Sequence, residues 1–177
     1  MDTLLLWRQR LSLTAAKTAE SIVSEHLLDS LYVAPLVKPG FRVADVGSGA
    51  GFPGIPLAIA CQDASFVLIE PRRKRANFLR EVARQTGLRN VEVEEERAED
   101  LDRAGSFDVV VARAVGSVRE LLVLSAELVK PGGLAIAMKG PKGRDESAID
   151  PAFAAAETAE YRLPNGAMHY LLVHRRL

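Results

Sequence analysis

Apolar and polar positions change rhythm near residue 42. From there short β-branched runs alternate with longer stretches of helical spacing. Arg42-Val43-Ala44-Asp45-Val46 and Ser65-Phe66-Val67-Leu68-Ile69 read as the first two strands. Val91 to Glu94, Phe107 to Ala112 and Leu134 to Met138 read as three more. Helices are expected near 54–61, 72–86, 117–129 and 145–158, a βαβ order that predicts a mainly parallel sheet covered on both faces. Lys130-Pro131-Gly132-Gly133 reads as a helix stop and a turn. At the C-terminus the order changes: Glu160 to Leu163 and Ala167 to His174 flank Pro164-Asn165-Gly166, a hairpin signal. The first thirty residues read as a helical extension (1–30) ahead of the main domain (31–177), with no Gly/Pro/Ser-rich linker between them.

The 177 residues are 48% hydrophobic and 26% charged, enough apolar material for the core of one α/β domain. Cys61 is the only cysteine, so a disulfide framework or a Cys-rich zinc site is excluded; its apolar neighbours make it a buried structural residue. No apolar run reaches bilayer length, and the expectation is a cytoplasmic monomer. The 23 basic and 23 acidic side chains cancel, but not evenly along the chain. Residues 72–84 carry a net +5 and residues 92–102 a net −6. Glu92, Glu94 and Glu96 alternate with valines, as on an edge strand that resists unwanted pairing.

The chemistry concentrates in Asp45-Val46-Gly47-Ser48-Gly49-Ala50-Gly51-Phe52-Pro53-Gly54-Ile55-Pro56, a glycine-rich turn between a strand and a helix. Two patterns overlap in it. Asp45 to Gly51 fits the D-x-G-x-G-x-G loop of S-adenosylmethionine-dependent methyltransferases, and Gly49 to Gly54 fits G-x-G-x-x-G of dinucleotide-binding proteins. Pro53 and Pro56 each remove an amide donor that a pyrophosphate would need, and the terminal hairpin departs from an all-parallel dinucleotide fold. Glu70, ending the second strand, suits ribose hydroxyls in either case. A nicotinamide-dependent oxidoreductase is therefore the alternative to a methyltransferase.

The loop, with its two prolines, closely resembles that of the RsmG (GidB) family. The resemblance continues in His26-Leu27-Leu28-Asp29-Ser30, Lys74-Arg75-Ala76-Asn77-Phe78-Leu79, Arg97-Ala98-Glu99-Asp100, Phe107-Asp108 through Arg113-Ala114, and Met138-Lys139-Gly140. Trp7 and Leu13-Thr14 also match, with Ser12 in place of the family's Asn. The resemblance implies a Rossmann-like class I methyltransferase fold, a mostly parallel seven-stranded sheet with a C-terminal antiparallel hairpin. It implies methylation of guanine N7 in 16S ribosomal RNA of the small subunit, with S-adenosylmethionine as methyl donor; a methyltransferase acting on another RNA or a small molecule is the nearest alternative. The family's cofactor contacts fall on Gly47, Phe52, Ala98 beside Glu99, and Arg113, joined by Asp45, Ser48, Gly49, Gly51 and Glu70.

Guanine N7 exposes a lone pair, so methyl transfer needs no proton removed first and no general base is assigned. Alignment of the reacting atoms in a dry pocket is expected to supply the catalysis. Ala112-Arg113-Ala114-Val115 accordingly lacks the Asn/Asp-Pro-Pro-aromatic motif used on exocyclic amines. Arg113, Lys139 and His26 are substrate-pocket candidates, and Lys139 suits either a phosphate or a base edge. His26 and Asp29, three apart on a helix, are read as a hydrogen-bonded pair rather than a metal site. Arg72, Arg73 and Lys74 open a helix, where cations oppose the macrodipole. That placement suits RNA phosphate, and Lys142 and Arg144 extend the patch.

Overall fold

The five apolar runs fold as strands where their patterns predict: β1 (Arg42–Val46), β2 (Ser65–Ile69), β3 (Val91–Glu94), β4 (Phe107–Arg113) and β5 (Val129–Lys139). The computed structural model describes residues 18–113, 116–143, 146 and 148–177; Trp7, Ser12, Leu13, Thr14 and Arg144 lie outside them. Two further strands, β6 (Glu157–Arg162) and β7 (Met168–Arg175), complete a seven-stranded sheet of order β3-β2-β1-β4-β5-β7-β6. β1 to β5 run parallel, and β7 pairs antiparallel with both β5 and β6. β3 is an edge, as its alternating acids predict.

Strand order reverses between β1 and β4, which opens a crevice beyond their C-terminal ends. Both strands are buried over nearly their whole length, the reason they are rich in valine and alanine and show no strict apolar–polar alternation. The first helix, α1, is built from α-helical Ala19–Ile22, a π-helical turn Val23–Leu27 and α-helical Leu28–Leu31. α2 (Gly54–Ala60), α3 (Arg73–Thr86) and α4 (Val118–Leu128) follow β1, β2 and β4. α3 buries Ala76, Phe78, Leu79 and Ala83 and stops at Gly87, whose φ of 68° forms the left-handed cap. Ser117 and Glu120 form a capping box on α4. One core lies under α4, around Phe107, Leu121, Leu122 and Leu128; the opposite one holds Leu57, Phe66, Val109 and Ile136. A third cluster joins Ile22 of α1 to Phe52, Ile55, Leu68, Phe78 and Leu79, fastening the helix to the glycine loop.

Three expectations need correction. The described residues from 148 to 156 are not helical. Pro151 breaks the periodic stretch, and the Asp150 carboxylate accepts the Ala152 amide. Phe153 instead bridges to Arg176 and packs on the α4 core. Lys130-Pro131-Gly132-Gly133 lies within the bounds of β5, where pairing slips from Phe107–Val129 to Val109–Leu134. Gly132, at φ 78°, carries that irregularity. Cys61 caps α2 half-buried rather than buried.

Candidate active site

The glycine loop is held from beneath by two buried carboxylates. Asp45 is 1% exposed, and its Oδ2 accepts the Gly54 amide at 2.9 Å. A Cβ on Gly54 would meet that same oxygen and the Leu68 side chain, so only glycine lets the loop close here. Gly47 and Ser48 donate their amides to Ile69 O, and Ser48 Oγ donates to Asp45 O at 2.8 Å. Gly47, Gly49 and Gly51 all have positive φ. Glu70 lies beside the loop with one oxygen accepting the Gly49 amide at 3.1 Å and the other the Arg72 amide at 2.9 Å. Each oxygen keeps a second lone pair for a ribose hydroxyl.

Three cavities run along the crevice. One of about 370 Å³ has apolar walls from Val46, Ile69, Ala98, Leu121 and Leu124, with Glu99 at its rim, dimensions and lining that suit an adenine. It shares Gly47 and Pro71 with a second, of about 430 Å³, over Ser48, Gly49, Phe52, Glu70 and Arg75. Arg113 lines that second cavity and also a third, of about 390 Å³, with His26, Asp29, Lys139 and His169. The first two, bent around a loop that tolerates close approach, fit a nucleoside carrying an amino-acid tail. Asp45, Gly47, Ser48, Gly49, Gly51, Phe52, Glu70, Ala98, Glu99 and Arg113 are thus gathered at one crevice or directly beneath it.

Arg113 ends β4 with its guanidinium 5.1 Å from the Phe52 ring centroid, a cation–π contact. Its Nη1 is 3.2 Å from Asp29 Oδ2 and 3.1 Å from His26 Nδ1. His26 Nδ1 thus stands between the Arg113 guanidinium, which only donates, and Glu25 O, 3.0 Å away, which only accepts. Burial, then the neighbouring Arg113 charge, lowers the His26 pKa and keeps the ring neutral. His26 and Asp29 are therefore not a simple surface pair: they converge on Arg113. Lys139 lines the third cavity, but its Nζ is engaged 2.9 Å from Glu146 and 3.3 Å from Gly116 O.

The basic patch divides. Arg80 pairs with Glu95 and Arg84 with Glu81, while Arg75 turns toward Glu70 at 4.0 Å. Arg72, Arg73 and Lys74 are exposed and make no ion pair among the described residues. Lys142 is exposed on the turn after β5. The acids of β3 are partly neutralised: Arg103 contacts both Glu92 and Glu94, and Arg42 reaches Glu92 at 3.3 Å.

Tyr161 and His169, which the sequence did not single out, complete the site around Asp29. Asp29, 2% exposed, also accepts the Tyr161 hydroxyl at 2.6 Å and His169 Nδ1 at 2.9 Å. Burial, then the bond to Asp29, raises the Tyr161 pKa, so the hydroxyl keeps its proton. A histidine pointing from a strand of apolar neighbours was the available signal for His169; Tyr161 offered none.

Asp45 has a measurable consequence. Its Oδ1 is buried without a partner among the described residues, and burial pushes its carboxyl up to about 6. The folded chain thus holds this proton more tightly than the unfolded one, whose pKa is about 3.9. Its contribution to stability is full below about pH 4 and is lost as pH rises through about 6. Urea unfolding of wild type and Asp45→Asn across this range is expected to show the wild type losing ground from pH 4 to 6, then a constant difference.

The sheet order and the loop geometry define a Rossmann-like methyltransferase fold. The chain superposes on TYW2 of M. jannaschii, solved in complex with AdoMet, with a TM-score of 0.65 at 17% identity, covering 86% of this chain and 76% of that one. The family model described as rRNA small subunit methyltransferase G (GidB) matches residues 1–166. Proteins named ribosomal RNA small subunit methyltransferase G are 44% identical over 146 residues in Stenotrophomonas maltophilia and 41% over 180 residues in Xylella fastidiosa strain M23. The first alignment covers 82% of this chain and 68% of the relative, the second 99% and 84%. The chain belongs to the rRNA small subunit methyltransferase G (GidB) family.

Proposed function

We propose that the protein transfers the methyl group of S-adenosylmethionine to guanine N7 in 16S ribosomal RNA of the small subunit. The observation that carries this reading is the shared position of Arg113. It lines both the cavity over the glycine loop and the neighbouring cavity that receives the base. Asp45, Gly47, Ser48, Gly49, Gly51 and Phe52 shape the loop, Glu70 takes the ribose hydroxyls, and Ala98 and Glu99 flank the adenine. S-adenosylmethionine, when bound, supplies an electrophilic methyl group on a sulfonium centre.

Arg113, between Phe52, His26 and Asp29, is fixed at the boundary of the two cavities and sets the line along which N7 approaches. Burial and the Arg113 charge keep His26 neutral, and its Nδ1 is held between Arg113 and Glu25 O, which suits a reaction that removes no proton. Lys139, joined to Glu146, closes the base side. Residues 1–30, of which 19–30 belong to α1 and 1–17 lie outside the described residues, serve as an extension of the domain at 31–177, and the protein acts as a cytoplasmic monomer. No helix among the described residues is long and apolar enough to cross a membrane.

The test is methyl incorporation from labelled cofactor into small subunits of an unmethylated strain, followed by borohydride and aniline cleavage at 7-methylguanosine. One cleaved guanosine is the expected result; no incorporation, or methyl on another atom, overturns the reading. Arg72, Arg73, Lys74, Lys142 and Arg144 contact RNA phosphate in this account. The triple variant Arg72→Glu, Arg73→Glu, Lys74→Glu is expected to raise the RNA KM about tenfold or more at low salt and flatten its salt dependence, with kcat little changed. An unaltered salt slope in steady-state assays means that these cations are only solvated surface.

A further inference from the structure

His169 stands near the start of β7 and lines the base-side cavity with Glu25, Asp29, Arg113, Lys139 and Asn165. Its Nδ1 meets Asp29 Oδ1, the oxygen that also accepts the Tyr161 hydroxyl; the other oxygen accepts from Arg113. Asp29 is the acceptor toward Tyr161 and Arg113, so His169 Nδ1 carries the ring proton and donates it. The lone pair is left on Nε2. No described residue donates to Nε2. Gly140, lining the same cavity, leaves room beside it: a Cβ there would lie 4.0 Å away. The ring is thus locked by a buried carboxylate with one open acceptor in a pocket of purine size.

We infer that His169 is a specificity-determining residue, whose Nε2 accepts the ring N1–H of the target guanine. The inference rests on the reading of the chain as a guanine-N7 methyltransferase. N7 and N1–H lie on different edges of guanine. A base whose N7 points toward Phe52 and Arg113 turns its N1–H edge toward the wall formed by the β6–β7 hairpin. Adenine places an acceptor at N1, so two lone pairs would face each other and the base would lose the contact. Asp29 is the positioning residue: it fixes the tautomer that makes Nε2 an acceptor.

The experiment compares small subunits reconstituted with guanosine or 2-aminopurine riboside at the methylated position. 2-Aminopurine keeps N7 and the exocyclic amine but has an acceptor at N1. Wild type is expected to favour guanosine by about tenfold or more in kcat/KM, the worth of a good contact to a base edge. His169→Ala is expected to lose a similar factor on guanosine and to bring the ratio of the two substrates near that of their intrinsic reactivities. His169→Gln, whose amide oxygen reaches the place of Nε2, is expected to keep most of the preference. S-adenosylhomocysteine binding by each variant confirms an intact fold. An unchanged ratio in a His169→Ala protein that binds the cofactor product overturns the inference while leaving the methyltransferase reading in place. Collapse of the ratio in Glu25→Gln instead assigns the contact to that carboxylate and overturns it equally. A wild type inert on guanosine subunits overturns both.

Discussion

Arg113→Met is expected to lower kcat/KM for methyl transfer by about a hundredfold or more, as loss of a preorganised charged donor does. Arg113 is packed on Phe52, bonded to His26 and paired with Asp29, so methionine fills much of its volume but supplies none of these polar contacts. It also leaves Asp29, 2% exposed, with one donor fewer. Breaking a buried pair on one side costs about 3–5 kcal/mol. Adding Asp29→Asn to Arg113→Met removes the stranded charge and is expected to recover part of the stability without recovering activity. Urea unfolding and single-turnover methylation, run on the same three proteins, separate the two effects. Equal recovery of rate and stability in the double variant would mean that Arg113 acts on the fold alone.

Glu70→Ala is expected to weaken S-adenosylhomocysteine binding about a hundredfold. The side chain lies at the end of β2, nearly buried, with one oxygen on Gly49 and the other on Arg72. Its removal takes away the ribose acceptors and the brace of the loop at once, and a hydrogen bond to a charged group contributes about 1.5–3 kcal/mol. Glu70→Gln retains one acceptor but introduces an amide, and is expected to bind between wild type and alanine. Titration calorimetry of the three proteins reads this directly. Affinity unchanged in Glu70→Ala would place the ribose elsewhere.

The half of the site nearest the glycine loop was legible in the sequence because its requirements are local. A strand, a turn that only glycines adopt and a carboxylate ending the next strand follow one another within a few dozen residues. β1 and β2 were readable to the residue, since buried strands are short β-branched runs between turn signals, even with Asp45 set within the first. The base-side cavity was only partly legible. Arg113 and Lys139 were marked by their places at strand ends and His26 by the family resemblance, whereas the partners that hold them, Asp29, Tyr161, His169 and Glu146, meet only through tertiary packing. The helix expected at 145–158 is absent from the described residues of that stretch for a related reason: Phe153 and Ala154 find their partners at the end of the last strand and just past it. The charge map was right in outline, and the side chains of Arg42, Arg80 and Arg103 spread across the sheet edge to offset much of the acidic run.

The spacing of the buried contacts sets an order in which the two halves are completed during synthesis. Gly49 finds Glu70 within 21 positions, so the cofactor-side brace closes early. Asp29 finds Tyr161 and His169 only 132 and 140 positions downstream. A nascent chain lacking the final hairpin has a finished glycine loop and an unfinished acceptor pocket. Competence to recognise the base therefore follows closure of the glycine loop, and arrives only with the strand that carries His169.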